Sequence, residues 1–413
     1  MRSARLMFAL VAATAGNACS KSSDTADKGG GRWYRAVFMP PDAPEIPVYV
    51  QLPAAGAGKG KLVTGQSEAE FQATWTGTDV AIAFPLVHAA IEATADEEGN
   101  LSGTRKVASK TWGAGQVSFR ARPVDGPAPE HRFDAQVLPG EPIDLGQPTT
   151  VWRATLPESG TVKMTLRQSS PGVFDATIQF PTGNAAYLAG NGRGEEIRLS
   201  SMQGLSLYLL TAKVDAGKKA LTGTWMAGPQ LGWRENFQAA RADDFSVAID
   251  VKTEKPGQHL GMPQLERYLG KPLIVEIGGS WCGACKYAAA ALKPIRERHR
   301  AKGLEVVSLA YEFTDDSAYN RKQAEEFKAA YGIPWEVIPV DGDMESAAEI
   351  LPKGIEGIDT SGFPVTLFVN GDFTIRSVHA SFPGPEHREE HRRAIAAYDE
   401  QAAAIVSGAS AAK

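Results

Sequence analysis

Cys282 and Cys285, in Trp281-Cys282-Gly283-Ala284-Cys285, carry the most distinctive chemistry of the chain. The run before them, Pro272-Leu273-Ile274-Val275-Glu276-Ile277, is apolar and β-prone and reads as a buried strand. The run after them, Lys286 to Arg300, is rich in Ala, Leu, Lys, Arg and Glu and reads as a helix. A thiol on the first turn of such a helix faces unpaired backbone N–H groups and the positive end of the helix dipole. Both favour thiolate, so the pKa falls below the free value of about 8.5. Two intervening residues set the second sulfur one turn on, close enough to close a disulfide. The pattern predicts a redox-active dithiol.

Two other readings of the pair stand beside this one. Half of a zinc site is the first, with His387 and His391 of Pro385-Glu386-His387-Arg388-Glu389-Glu390-His391 as the remaining ligands. Those histidines read instead as the solvated face of a charged helix, and a tetrahedral site needs four converging ligands. A structural disulfide is the second, but so short a loop restrains little of the unfolded chain.

Glu276 interrupts an apolar strand six residues before Cys282, where a carboxyl is costly unless it has a partner or a task. The strand carries it beneath the dithiol, towards Cys285. A carboxyl of raised pKa there can take the Cys285 proton when that thiol attacks a mixed disulfide. The alternative is an acid paired with Lys271 or Lys302.

The segment from Val275 through Glu276, Trp281, Cys282 and Cys285 to Lys286 resembles the active-site stretch of thioredoxins, with Glu276 at the place of that family's buried acid. Downstream, Gly362-Phe363-Pro364-Val365-Thr366-Leu367-Phe368-Val369 resembles the segment that holds the family's cis-proline. A strand follows, then an Asn370-Gly371-Asp372 turn. Between the two segments, Gly303 to Leu309 reads as a strand and the stretch around Glu325-Glu326-Phe327-Lys328 as a helix. The layout over residues 256–407 is similar to exported TlpA/ResA-like thiol-disulfide reductases. It departs from them at Ala288 and Ala290, where that group often carries Glu and Pro, and its helix proline comes later, at Pro294. A peroxiredoxin signature is absent, since Val275 and Gly279 stand where its Pro and Thr would be.

The resemblance implies an α/β thioredoxin-like domain, a central mixed sheet flanked by helices. It implies that Cys282 is an exposed nucleophile and that Cys285 resolves the mixed disulfide. Pro364 would be cis and would set Phe363 beside the dithiol, its backbone free to pair with a substrate strand. Trp281 would pack over the site and shield it, although a core tryptophan accounts for that residue equally well. No cofactor and no metal are implied.

The N-terminus predicts export. Arg2 and Arg5 precede the apolar run Leu6 to Ala13, and Gly16-Asn17-Ala18-Cys19 resembles a bacterial lipobox, with Cys19 acylated after removal of residues 1–18. Ordinary cleavage after Ala18, giving a soluble periplasmic protein, is the rival. Ser20 suits outer-membrane sorting, and residues 19–31 form a small, polar, Gly-rich tether. With Cys19 lipidated, only the 282/285 pair remains to cycle. The formal charge moves from −5 to −7 when Arg2 and Arg5 leave, mild acidity that argues against nucleic acid or anionic lipid as partners.

At 413 residues the chain has room for two or three domains. Residues 32–124 and 147–245 read as two similar antiparallel, all-β units joined by a Pro-rich linker, 125–146, ahead of a thioredoxin-like domain at 246–413. Trp33-Tyr34-Arg35-Ala36 answers Trp152-Arg153-Ala154, Leu101-Ser102-Gly103-Thr104 answers Leu221-Thr222-Gly223-Thr224, and Phe119 to Arg122 answers Phe237 to Arg241. The offsets of 119, 120 and 118 keep one register, which predicts a duplication. The units are either two small barrels or one sandwich. They read as a spacer or dimerisation surface, with His88, Trp112 and Trp225 as candidates for a ligand groove.

Two functions follow. One is a cell-envelope thiol-disulfide oxidoreductase, a reductase fed by a membrane thiol carrier and acting on apocytochrome cysteines or oxidised envelope proteins. The other is an envelope binding lipoprotein whose β units hold a partner while the dithiol domain serves as a redox switch, oxidant or isomerase.

Overall fold

The computed structural model describes residues 31–84, 86, 89–107, 115–181, 185–245, 259–312, 314, 316–340 and 363–409. The expected signal, lipobox and most of the tether, together with His88, Trp112 and Gly362, lie outside them.

The first β unit is an up-and-down closed barrel of eight antiparallel strands. Its strands are β1 (Arg32–Met39), β2 (Ile46–Leu52), β3 (Ala57–Thr64), β4 (Ser67–Thr76), β5 (Asp79–Phe84), β6 (Ala89–Ala95), β7 (Leu101–Val107) and β8 (Gly115–Val124). The second repeats the plan with β9 (Thr149–Leu156), β10 (Gly160–Ser170), β11 (Val173–Gln179), β12 (Ala185–Arg193), β13 (Glu196–Gln203), β14 (Ser206–Val214), β15 (Ala220–Gly228) and β16 (Trp233–Ala242). Alternation is clear along β8 of the first barrel, where every second residue, Val117, Phe119 and Ala121, is buried and the residues between them are exposed, whereas β12 of the second is buried on both faces from Ala186 to Gly192. Closure pairs the first strand with the last, so neither barrel leaves an unpaired edge.

The duplication is visible in the ladders, with one correction of register. Ala36 pairs with Ala121 and Ala154 with Ala239, which makes Tyr34, not Trp33, the counterpart of Trp152. Strand alternation explains the shift: Tyr34 and Trp152 both point inward and are fully buried, whereas Trp33 points outward beneath the Lys61 ammonium. Gly103 and Gly223 hold matching places. A Cβ on either would sit 2.0 Å from a carbonyl of the neighbouring strand, that of Glu92 or of Thr211. Only glycine fits there.

The segment 125–148 is more than a linker. Phe133 and Leu138 enter the first barrel's apolar cluster, and Ile143 and Leu145 enter the second's. Arg132, fully buried between the barrels, donates to the Ser200 carbonyl, and its own carbonyl accepts from Arg35. Arg105 reaches from the first barrel to the Leu205 and Pro229 carbonyls of the second. These charge-assisted bonds to backbone fasten the barrels together, although Arg105 Nε finds no partner among the described residues.

The C-terminal part is a five-stranded mixed sheet in the order β19-β18-β17-β20-β21. The strands are β17 (Leu273–Gly278), β18 (Glu305–Tyr311), β19 (Glu336–Val340), β20 (Val365–Val369) and β21 (Ile375–Ala380). Among the described residues three helices accompany it: α1 (Cys285–His299), α2 (Ser317–Ala330) and α3 (Glu389–Ala409). Every residue of the central strand β17 is buried, as suits an apolar run covered on both faces. Asp316 caps α2, its carboxylate accepting the N–H groups of Ala318 and Tyr319.

Candidate active site

Strand β17 ends at Gly278, and the chain turns through Gly279, Ser280 and Trp281 into α1. The two sulfurs form a disulfide, with S–S 2.07 Å and Cα atoms 5.3 Å apart. The Cys285 N–H, at the first turn of α1, donates to Cys282 Sγ at 3.2 Å. No side-chain hydrogen bond caps this helix end, so its dipole and the Cys285 N–H act on the sulfur of residue 282. Negative charge that develops on Cys282 is therefore stabilised at once. A Cβ on Gly278 would lie 2.4 Å from Cys285 Sγ, so the strand must end in glycine for the sulfur to pack against it.

Glu276 and Gly278 stand two residues apart on one face of β17, which sets the carboxyl about 7 Å along the strand from the glycine under Cys285. The carboxyl is buried, and burial pushes its pKa up to about 7, opposed by the Ser308 hydroxyl that donates to Oε2 at 2.7 Å. The Trp335 indole N–H in turn donates to Ser308 Oγ at 2.9 Å. Oε1 has no hydrogen-bond partner among the described residues. Neither Lys271 nor Lys302 is among the groups that act on Glu276, and Lys271 pairs instead with Glu305 at 3.2 Å.

The Phe363–Pro364 bond is cis, and the Phe363 ring meets Trp281 edge-on with centroids 5.5 Å apart. The Trp281 indole N–H donates to the Tyr311 carbonyl at 2.8 Å. Next to it, the Glu312 carboxylate accepts both the Ser280 N–H, at 2.9 Å, and the Ser280 hydroxyl, at 2.8 Å. Ser280, Ser308, Glu312 and Trp335 did not figure among the sequence candidates. Glu312 carried the same signal as Glu276, an acid closing the apolar run Val306 to Tyr311.

Three expectations need correction. Cys282 is not exposed: only 5% of its surface reaches solvent. Leu86, between β5 and β6, packs on the core that holds both cysteines, and Trp281 touches that core and the first barrel's cluster. The Leu86 carbonyl lies 3.2 Å from the Ser280 hydroxyl, so the β region stands against the dithiol face. His387 is not on a solvated helix face either. It lies in a short turn ahead of α3, 2% exposed, while His391 Nδ1 bonds the Pro383 carbonyl. Burial, then the charges of Arg167 and His391, pull the His387 pKa down to about 3. Trp225 is core in the second barrel, stacked on Tyr208, and lines no groove.

Beside α1, a cleft of about 570 Å³ separates Gln66 and Glu68 of the first barrel from Lys286, Tyr287 and Glu386. Burial lowers the pKa of Lys286 and raises that of Glu386, each opposed by the other's charge.

A mixed five-stranded sheet with a cysteine pair at the N-terminus of the helix after its central strand is the arrangement of a thioredoxin-like fold. No family model matches the chain. The thiol:disulfide interchange protein DsbE of Tatumella citrea is 30% identical over 129 residues, 31% of this chain and 58% of that relative. A putative DsbE from Chlorobium tepidum is a structural likeness at 15% identity, covering 37% of this chain and 98% of that one, with a TM-score of 0.28. A secreted Mycobacterium tuberculosis disulfide oxidoreductase homologous to E. coli DsbE aligns at 13% identity over 34% of this chain and 85% of its own, with a TM-score of 0.24. Over about a third of its length, then, the chain is similar to thiol:disulfide interchange proteins, and it spans 58% of the curated relative it matches. No helix among the described residues is long and apolar enough to cross a membrane.

Proposed function

We propose that the chain is a thiol-disulfide oxidoreductase that reduces protein disulfides through Cys282 and Cys285. The observation that carries this reading is the helix-terminal N–H of Cys285 held on Cys282 Sγ, above a strand whose buried acid, Glu276, is poised near neutrality. In the reduced protein the Cys282 thiolate attacks one sulfur of a substrate disulfide. The substrate S–S bond breaks and its leaving thiolate takes up a proton from solvent. Cys285 then gives its proton towards Glu276 and attacks Cys282 Sγ, which releases the second substrate thiolate. Two electrons pass to the substrate and the disulfide of this structure remains.

The chain would work in the cell envelope, held by a lipid on Cys19 and recharged by a membrane thiol carrier, with oxidised envelope proteins as substrates. The test is the equilibrium reduction potential of the pair, titrated in glutathione and dithiothreitol buffers. A value near the thioredoxin range, about −270 mV, supports a reductase, whereas one near −120 mV makes the protein a disulfide donor. A pair that does not cycle ends the enzyme reading.

A further inference from the structure

The β region occupies more than half of the described chain, and the activity proposed above gives it no task. Its place does. A small dithiol domain acts on large substrates when its nucleophile lies open, yet Cys282 is 5% exposed and Trp281, next to it, is shared between the redox core and the barrel core.

Two barrel features meet the dithiol loop, and two more hold the start of α3. Leu86, in the connection between β5 and β6, packs on the redox core, and its carbonyl approaches the Ser280 hydroxyl. Gly204, in the turn between β13 and β14, lies so close that a Cβ there would come within 3.3 Å of the Trp281 carbonyl. Gln66, in the turn between β3 and β4, accepts from Arg388 ahead of α3 at 3.3 Å. Lys163 of the second barrel adds an ion pair to Glu390 of α3 at 3.5 Å.

The barrels cannot yield to a substrate one at a time. The turn that carries Gly204 is pinned by Arg105 of the first barrel, which donates to the Leu205 carbonyl beside it. Met202, Leu205 and Leu207 of the second barrel belong to the first barrel's apolar cluster. The pair therefore stands against the dithiol loop as one body, through Leu86 on the redox core and Gly204 at the Trp281 carbonyl.

We propose that the barrel pair is a size filter over the redox site. It admits disulfides carried on small molecules or thin, unstructured chain, and it excludes disulfides set in folded proteins. The reason is geometric: thiolate attack requires the two sulfurs to come within about 3–3.5 Å, and a globular carrier would meet Leu86 and Gly204 first. The inference rests on the oxidoreductase reading, but its test does not need turnover.

In the reduced full-length chain, alkylation of Cys282 is followed by mass spectrometry of its peptide, with iodoacetamide and with a maleimide bearing a long poly(ethylene glycol) chain. The same reagents in urea give each one's unhindered rate. In the folded protein the bulky reagent should lag, relative to iodoacetamide, by about tenfold or more, and Leu86→Asp should narrow the gap. In turnover, Leu86→Asp and Gly204→Asn should raise the rate on folded insulin relative to that on bis(2-hydroxyethyl) disulfide by a similar factor. Equal lag of both reagents in the wild-type protein would overturn the filter, even if the variants do not fold. Equal alkylation rates with no turnover on either substrate would overturn both readings. A filtered Cys282 with no turnover would leave the cover standing and remove only the enzyme.

Discussion

Glu312 holds Ser280 by both of its donors, the backbone N–H and the hydroxyl, at 2.9 and 2.8 Å, one residue before Trp281 and two before the attacking cysteine. With the Trp281 N–H on the Tyr311 carbonyl, the end of β18 fixes the loop that presents Cys282. Glu312→Ala strands a buried N–H, which costs about 1–3 kcal/mol, and frees the loop. The expected outcome is a drop in melting temperature and a fall in disulfide-reduction rate of about tenfold or more. Glu312→Gln, which keeps one acceptor, should recover most of the stability. Full wild-type rates in Glu312→Ala would show that β18 does not position the thiol.

Cys282 and Cys285 differ in task, so their serine variants should differ in product. Cys285→Ser cannot resolve a mixed disulfide and is expected to accumulate one with its substrate, visible on a non-reducing gel. Cys282→Ser should trap nothing and reduce nothing. Equal trapping by both variants would reverse the assignment of nucleophile.

Glu276 links protonation to stability. Its folded pKa, about 7, lies above the ordinary carboxylate value because of burial, so its contribution is complete below about pH 4.5 and is lost as pH rises through 7. The full loss is roughly 3 kcal/mol on the linkage relation. Urea midpoints of the oxidised protein should therefore fall between pH 5 and about 8.5 in the wild type and much less in Glu276→Gln. Parallel profiles for the two proteins would remove this residue from the titration.

His387 acts with the opposite sign. Its folded pKa, about 3, is depressed by burial and by the charges of Arg167 and His391, so its contribution is present above about pH 6.5 and drains away as pH falls from there towards 3. Glu386, with Oε1 3.9 Å from the ring, is the nearest carboxyl. His387→Gln is expected to flatten the loss of stability between about pH 6.5 and 4, read by urea unfolding. An unchanged acid limb would mean that His387 takes up its proton without unfolding anything.

Gly103 and Gly223 test the duplication. Each lets a neighbouring strand carbonyl approach to where a Cβ would lie only 2.0 Å away. Gly103→Val and Gly223→Val should each lower unfolding free energy by about 1–3 kcal/mol or more, with similar size at the two matched positions. Loss at one position alone would break the equivalence of the barrels.

Local pattern was enough for the parts of this protein that depend on near neighbours. A strand of continuous apolar residues, two thiols one turn apart and a helix rich in Ala and Lys predict the redox loop, since its geometry is set within about fifteen residues. An acid in an apolar strand marks Glu276 for the same reason. Matched short segments repeated at a nearly constant offset mark two β units, but they leave barrel and sandwich open because closure depends on the pairing of β1 with β8 and of β9 with β16. They also misplace Trp33 against Trp152, since matching letters along a strand do not tell which face each takes.

What only the tertiary structure decided is everything that joins distant segments. Glu312 reaches Ser280 across 32 positions, and Leu86 reaches the same serine across 194. His387 is buried by elements its own charged neighbourhood does not reveal. Above all, Leu86 of the first barrel packs on the core that holds the buried Cys282. A residue's exposure is a property of the surfaces packed on it, and those surfaces come from parts of the chain that carry no sign of the cysteine they cover.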